Sequence, residues 1–404
     1  MISVKEAEQL ILENIETYDA ERVSLENALG RVLRESISAD RDLPPFNRAT
    51  LDGIAINYAP YASGQRSFPI AGTIAAGAPS QNLGSTENCV EIMTGAALPT
   101  DADTVIRIED LEIADGIATI KADTSHEEGE GVHPAASDSR QGDTLLEANT
   151  QLTGKEISIA ASVGYTDCLV SLEPRITLVT TGDELVSINQ TPLLHQIRRS
   201  NDLALKSALA SAGYADVVTL HLKDDKAATE KAIGQLMQES DVIILAGGVS
   251  KGKFDFLPKT LLKMGVEKKF QWVAQRPGKP LWFGHYDRDG RKLPVFALPG
   301  NPVSCFTCLH RYVIPALDKA QSKPAAQIRY AKLSQSFSFK PPLALFLPVV
   351  IEYSETGDTW AKPLPFNTSG DYISVARTDG FIELPAAQSD FTREEPFRYF
   401  PWQA

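Results

Sequence analysis

Cysteine is almost missing from this 404-residue chain. Cys89, Cys168, Cys305 and Cys308 are too few and too scattered for a disulfide framework. Only Cys305 and Cys308 stand close together, and no second pair or matching histidines complete a zinc site. They read as two small buried residues on a helix, with redox or metal chemistry as the other reading. Basic residues are also short. Lys and Arg number 39 against 52 Asp and Glu, a net charge of −13. That balance excludes general nucleic-acid binding, which needs a basic surface to displace counterions. An anionic small molecule stays open, provided local cations or backbone N–H groups receive it. No run of about 18 apolar residues occurs, so no membrane-spanning helix is expected. The N-terminus lacks a basic segment followed by an apolar one. No signal peptide is therefore expected, and the default compartment is cytoplasmic.

What is present is the balance of a folded protein, 43% hydrophobic and 23% charged residues. The length exceeds one ordinary core and calls for two to four domains. Residues 3–16 read as a helix, with a capping box at Ser3 and Glu6 and apolar Val4, Ala7, Ile11 and Ile15 at helical spacing. A second helix is expected over Leu25–Leu33, capped by Ser24. From Arg41 the texture changes to Gly, Pro and short apolar runs. Strands are expected at Ile54–Ile56, Phe68–Ile70, Val90–Met93, Thr104–Ile108 and Ala118–Ile120, with a loop over 122–144. Residues 152–164 are helical again and would pack back on the first helices, making the β region an insertion. Strand and helix then alternate from Arg175 to Leu309, which predicts a parallel sheet covered on both faces. After Pro324 the runs Phe346–Tyr353, Gly380–Leu384 and Arg398–Phe400 predict a last, all-β domain. The expected division is 1–41 with 142–173, then 42–141, 174–322 and 323–404.

Three loops follow predicted strands of the parallel sheet, where such folds bind ligands. In Thr180-Thr181-Gly182-Asp183-Glu184 two adjacent carboxylates suit Mg²⁺, and equally suit an acidic helix N-terminus. In Ala246-Gly247-Gly248-Val249-Ser250-Lys251-Gly252 consecutive glycines let backbone N–H groups approach a phosphate. In Leu298-Pro299-Gly300-Asn301-Pro302-Val303-Ser304, Asn301 suits a helix cap and Pro302 its first turn. Between the last two lies Arg276-Pro277-Gly278-Lys279-Pro280, where two prolines fix two cations as an anion clamp or a solvated turn. The β region adds Thr50-Leu51-Asp52-Gly53 and Ile92-Met93-Thr94-Gly95-Ala96, each by itself a structural turn.

Taken as a set, these six segments resemble, in order and spacing, the molybdopterin molybdotransferase family, which includes the gephyrin E domain. Pro45-Phe46-Asn47, Leu185 after Glu184, and Ser369-Gly370 with Ser374, Gly380 and Leu384-Pro385 extend the likeness over essentially the whole chain. The resemblance implies an α/β multidomain fold. It comprises a doubly wound, parallel-sheet molybdopterin-binding domain, an inserted mostly-β domain, a helical linking domain and a C-terminal β domain. It implies a homodimer that takes adenylated molybdopterin and molybdate, requires Mg²⁺, and releases molybdenum cofactor and AMP. A molybdopterin adenylyltransferase would be the upstream donor. By the same resemblance Asp183, Glu184 and Asp224 hold Mg²⁺ and polarise the phosphoanhydride. Gly247, Gly248, Ser250, Pro299, Asn301 and Ser304 grip phosphate and molybdate. Asp255 is the pterin-side carboxylate, Arg276 and Lys279 neutralise anionic oxygens, and Ser374 joins from the C-terminal domain. Asp52, Thr94 and Asp138 reach across the dimer.

Several positions depart from that family's pattern. Ile54 stands where a tyrosine is common, Arg199 where an aspartate precedes Ser-Asn, and Val132-His133-Pro134-Ala135 where a basic run precedes Asp138. Residues 341–349 hold none of the arginines usual in the C-terminal domain, which leaves Arg199 or Arg377 as substitutes toward the oxyanion. The other functional readings are nucleotide chemistry of the adenylyltransferase type and a non-catalytic scaffold. Asp183, Glu184 and Asp224 together favour an enzyme.

Overall fold

The computed structural model describes residues 1–249, 257–365 and 368–403. Its centre is a six-stranded sheet in the order Val217–Leu222, Ile176–Thr181, Val242–Ala246, Arg291–Leu298, Trp282–Arg288, Glu267–Gln271. The first four strands are parallel. Successive side chains on them alternate between two cores, as a strand's period of two requires. Ile176, Leu178, Val242, Ile244, Phe296 and Leu298 face one core. Val179, Ile243, Leu245, Val295 and Ala297 face the other. Helices cover both faces: Asn201–Ser211 and Pro302–Cys308 on the first, Lys226–Glu239 and Leu257–Lys263 on the second. Each fully buried aliphatic side chain there contributes about 1.5–3 kcal/mol.

The expectation of a wholly parallel sheet needs correction, because Trp282–Arg288 runs antiparallel to both of its neighbours. Trp282–Arg288 and Arg291–Leu298 form a hairpin whose two loop residues, Asp289 and Gly290, have φ of 54° and 84°. Asp-Gly between apolar runs is the dipeptide such a two-residue turn demands. The Asp287 carboxylate accepts from the Gly290 N–H at 2.8 Å and closes the turn.

The opening helix forms as its sequence requires, over Val4–Glu13, with both bonds of the Ser3–Glu6 capping box in place. Its buried face, Val4, Ala7 and Ile11, packs into the first of the two sheet cores. The helix expected over Leu25–Leu33 does not form. Ala20–Ser24 is a strand, Leu25–Asn27 a single 3-10 turn, and Ser24 makes no side-chain cap. Gly30 then adopts φ 79°, and Leu33 bridges to Val170. The apolar residues that looked helical instead pack on Leu152, Ala160, Val163 and Val170. Ala20–Ser24 also pairs with Asp167–Ser171, so the chain on both sides of the β region closes into one small core. The helix expected at 152–164 spans Gly154–Ser162.

The β region itself holds a six-stranded sheet that contains all five expected strands and adds Leu111–Ala114. Gly53 is forced there, since a Cβ would lie 1.8 Å from the Ile106 carbonyl oxygen. The C-terminal sheet closes on itself through the pairing of Ala344–Tyr353 with Gly380–Leu384. One short helix, Tyr372–Val375, interrupts the expected all-β character. Gln275–Arg276, from the central domain, joins that sheet beside Ala344 and Leu345.

The helix that begins at Pro302 passes through a π-turn, Leu309–Val313, before Ile314–Ala320. Pro315 has no N–H to continue the helical ladder. Arg311, on this turn, is 2% exposed. It donates to both Glu8 carboxylate oxygens at 2.9 Å and to Glu383 at 2.8 Å. Burial opposes the charge on Glu8, and the bonds from Arg311 outweigh it, holding that carboxyl below its ordinary range. We expect Arg311→Met to lower stability by about 2–4 kcal/mol, somewhat below the cost of breaking a fully buried pair because Glu8 and Glu383 are only partly buried. A folded-state pKa that is depressed gives stability above the unfolded value and loses it on acidification. The gap between parent and variant in urea unfolding should therefore narrow below about pH 4.3, the ordinary glutamate value. A loss under about 1 kcal/mol at neutral pH would make the triad peripheral.

Candidate functional site

The parallel register sets four loops side by side at the carboxyl edge of the sheet. Thr180 lies beside His221 on one neighbour and Ala246 on the other, and Ala246 lies beside Leu298. Asp224, the Gly182–Glu184 turn, Gly247-Gly248 and Pro299–Asn301 therefore follow four adjacent strands. The alternative for the first loop, an acidic helix N-terminus, falls away. Asp183 and Glu184 form a turn that leads into the short strand Leu185–Val186.

Asp183 accepts the backbone N–H of Asp224 at 3.2 Å, which ties the loops of two proposed metal ligands together beside the clefts of this edge, although neither residue lines one. Glu184 folds back over Gly182, whose φ is 140° and whose missing Cβ would stand 2.6 Å from a Glu184 carboxylate oxygen. Gly248, at φ 70°, would drive a Cβ to 2.5 Å from Leu257 Cδ1. The side-chain amide of Asn201 donates to the Gly300 carbonyl at 2.8 Å, tying a helix start to the last loop. These segments line a cleft of about 400 Å³ that includes Thr181, Glu184, Arg199, Gly247, Gly248 and Asn301.

A second cleft of about 410 Å³ shares Pro280, Pro299 and Asn301 with the first, and contains Arg276, Lys279 and Ser304. Arg276 and Lys279 are exposed, while Ser304 is buried. Pro302 occupies the first helical turn as expected. Asn301 holds the cap position, yet its side chain does not cap. It donates to Ser369 Oγ at 2.8 Å, and the Val303 N–H donates to the Ser369 carbonyl at 3.0 Å. The C-terminal domain thus walls this cleft with Leu343, Pro348, Thr368 and Ser369. Beneath the cations, buried Gln275 donates to the Gly278 carbonyl at 3.2 Å and accepts the Tyr312 hydroxyl proton. Cys305 and Cys308 are free, buried thiols that burial holds well above the ordinary cysteine range. They pack as small residues.

The remaining candidates lie apart from both clefts. Asp52 accepts the Thr94 backbone N–H at 2.6 Å and its hydroxyl at 2.7 Å, and these bonds lower its pKa. His133 Nδ1 accepts from Arg48 at 3.0 Å, because arginine stays protonated. Nε2 therefore carries the proton and donates to Asp138 at 2.9 Å. Ser374 donates to Asp371 at 2.6 Å on the short C-terminal helix, and neither it nor Arg377 lines a cleft. Ser250, Lys251 and Asp255 lie outside the described residues. Asn201, Trp272 and Thr368 are cleft residues given no role by the sequence, and Ser369 enters there only through the Ser369-Gly370 likeness. Ser200-Asn201 ahead of an apolar-periodic helix was a readable signal for one of them.

Among the described residues, no three His, Cys, Asp or Glu side chains gather closely enough to hold a metal ion unaided. The linked pair of Asp183 and Asp224 has the oxygen chemistry that suits Mg²⁺. That ion commonly takes one or two carboxylates and completes its shell with substrate phosphates and water. The residues present fit a magnesium shared with a phosphate, and not a preformed protein cage.

Comparison with known proteins gives the family. Three family models cover nearly the whole chain. They are the MoeA N-terminal region (domain I and II) over residues 2–164, a probable molybdopterin binding domain over 177–319, and the MoeA C-terminal region (domain IV) over 330–400. A molybdopterin molybdenumtransferase from Synechocystis sp. is 42% identical over 402 residues, covering 100% of both chains. Another from Staphylococcus aureus is 31% identical, covering 96% of this chain and 93% of the relative. The solved molybdopterin biosynthesis moea protein from Pyrococcus horikosii superposes with a TM-score of 0.82 at 28% identity, with 100% of both chains covered. The fold and clefts thus define a transferase of the multidomain MoeA type. More narrowly, the chain belongs to the molybdopterin molybdenumtransferase family.

The loop that presents Arg276 and Lys279 depends on Gly278, at φ 90°, where a Cβ would meet Cys308 Sγ at 2.5 Å and Gln275 Nε2 at 2.6 Å. Gly290 has a similar φ of 84° with open space around it. Gly290→Ala should cost only the left-handed backbone penalty of about 1–2 kcal/mol. Gly278→Ala should cost clearly more in urea unfolding, because buried neighbours must also move. Equal losses would show that the Gln275–Cys308 packing yields freely.

Proposed function

We propose that this transferase, which inserts molybdenum into molybdopterin, works on the adenylated form and couples insertion to cleavage of the adenylate, giving molybdenum cofactor and AMP. The observation that carries the reading is the convergence of four strand-end loops on one edge. There the Asp183 carboxylate accepts the Asp224 backbone N–H, Glu184 and Gly247-Gly248 line one cleft, and the adjoining cleft holds two exposed cations.

Each side chain then has a task. Asp183, Asp224 and Glu184 would hold Mg²⁺ with phosphate oxygens, and the bound ion supplies charge neutralisation on the phosphoanhydride. Gly247, Gly248, Pro299 and Asn301 shape the wall against which the phosphates lie. Arg276 and Lys279 receive molybdate through charge-assisted bonds, with the Ser304 hydroxyl beside them. Ser250 and Asp255 keep their proposed phosphate and pterin roles. Asp52, Thr94, Asp138 and Ser374 lie apart from both clefts of their own subunit. In this reading they serve the site of a second copy in a homodimer, or fix the turns that do. Light scattering should accordingly give twice the 43.9 kDa chain mass. A species of single mass at low micromolar concentration would count against the shared site. A molybdopterin adenylyltransferase would supply the substrate, and the work is placed in the cytoplasm, where thiols stay reduced.

The test incubates the full chain with adenylated molybdopterin, Mg²⁺ and molybdate and follows AMP release. Asp183→Asn and Asp224→Asn should each slow release by about 100-fold or more, as loss of a positioned metal ligand does. Both carboxylates are exposed, so the melting temperature should stay near that of the parent. Normal AMP release with a lowered melting temperature would make them structural.

A further inference from the structure

Arg199 is a cation for which the fold supplies little bonding. It follows the short strand Ile197–Arg198 and precedes the helix Asn201–Ser211. Its side chain lies on the wall of the cleft that holds Glu184, Gly247, Gly248 and Asn301. The side chain is 27% exposed, and its Nε is buried without a hydrogen-bond partner. Among the described residues one carboxylate comes within ion-pair range. Asp202 Oδ2 stands 3.8 Å from Nε, beyond hydrogen-bond distance. Asp202 also accepts the Leu203 N–H at 3.0 Å. A guanidinium carries five donors and no acceptor. Held half-dry with so few bonds, it is costly unless an anion completes its shell.

We propose that Arg199 binds a tetrahedral oxyanion in the cleft at the carboxyl edge of the sheet, either a phosphate group of the nucleotide-linked substrate or molybdate itself. This rests on the functional reading above, which puts a phosphoanhydride in that cleft. Pro280, Pro299 and Asn301 form a wall common to the two clefts. Arg199 stands on one side of it, and Arg276 and Lys279 stand on the other. A substrate that carries phosphate and receives a second oxyanion needs two such cationic stations. The chain's net charge of −13 repels both anions, so each station must offset that locally. The planar guanidinium fork can bond two oxygens at once, which an ammonium cannot.

Calorimetric titration of the full chain with AMP, with inorganic phosphate and with molybdate tests this, using the parent, Arg199→Gln, Arg199→Lys and Arg276→Ala. Arg199→Gln should weaken at least one ligand about 10- to 100-fold, the range of one lost charge-assisted bond. Weakening of AMP and phosphate assigns Arg199 to the substrate's phosphate; weakening of molybdate alone assigns it to the metal oxyanion. Arg199→Lys should retain part of the affinity. Unchanged affinity for all three ligands in Arg199→Gln overturns the inference, and a lowered melting temperature beside it would leave Arg199 as a structural partner of Asp202. If Arg276→Ala weakens binding while Arg199→Gln does not, the functional reading stands and this inference alone falls. If the parent binds none of the three, both fall.

Discussion

One turn of helix holds this molecule together. The π-turn Leu309–Val313 sets Arg311 and Tyr312 on consecutive positions, and each does a different job. Arg311 binds Glu8 of the opening helix and Glu383 of the C-terminal sheet, so residues 375 positions apart in the chain (383 minus 8) meet on one buried guanidinium. Tyr312 holds Gln275, and Gln275 holds the Gly278 carbonyl. The contact that docks the domains is therefore one residue away from the contact that shapes the Arg276–Lys279 loop.

The site inherits its form from that arrangement. The sheet brings Asp224, Asp183, Gly247 and Pro299 to one edge because parallel strands end in register. The docked C-terminal domain then adds Ser369, which takes the side chain of Asn301 away from the cap it might otherwise make. In the proposed reading, chemistry at the edge depends on oxygen donors, backbone and two or three cations, in a protein whose net charge opposes anionic ligands. Acidic carboxylates suit a metal shared with phosphate, and the cations suit the anions that arrive with it.

Much of this was legible in the sequence where the signal is local. The Ser3–Glu6 capping box, Pro302 in a first helical turn and the buried apolar run Val242–Ala246 each follow from a few neighbouring residues. The three strand-end loops were found the same way. Reading failed where tertiary contacts override spacing. Leu25, Ala28 and Leu33 sit at helical intervals, yet Gly30 and the packing against Leu152 and Val170 make that segment irregular. The Asp289-Gly290 hairpin signal was present and was passed over, because the surrounding alternation favoured parallel strands. The cleft position of Ser369 was not legible, although the residue belongs to the Ser369-Gly370 likeness. It meets Asn301 from 68 residues away and from another domain, and no local pattern marks such a meeting.

In the proposed function the paired clefts at the carboxyl edge receive the oxyanions of the reaction. Anomalous diffraction at the molybdenum absorption edge, from crystals of the full chain soaked with molybdate, locates the metal without reference to activity. The anomalous peak should lie within hydrogen-bonding reach of Arg276, Lys279 or Ser304, or across the shared wall at Arg199. A well-occupied peak elsewhere on the protein, with both clefts empty of molybdenum, would contradict it.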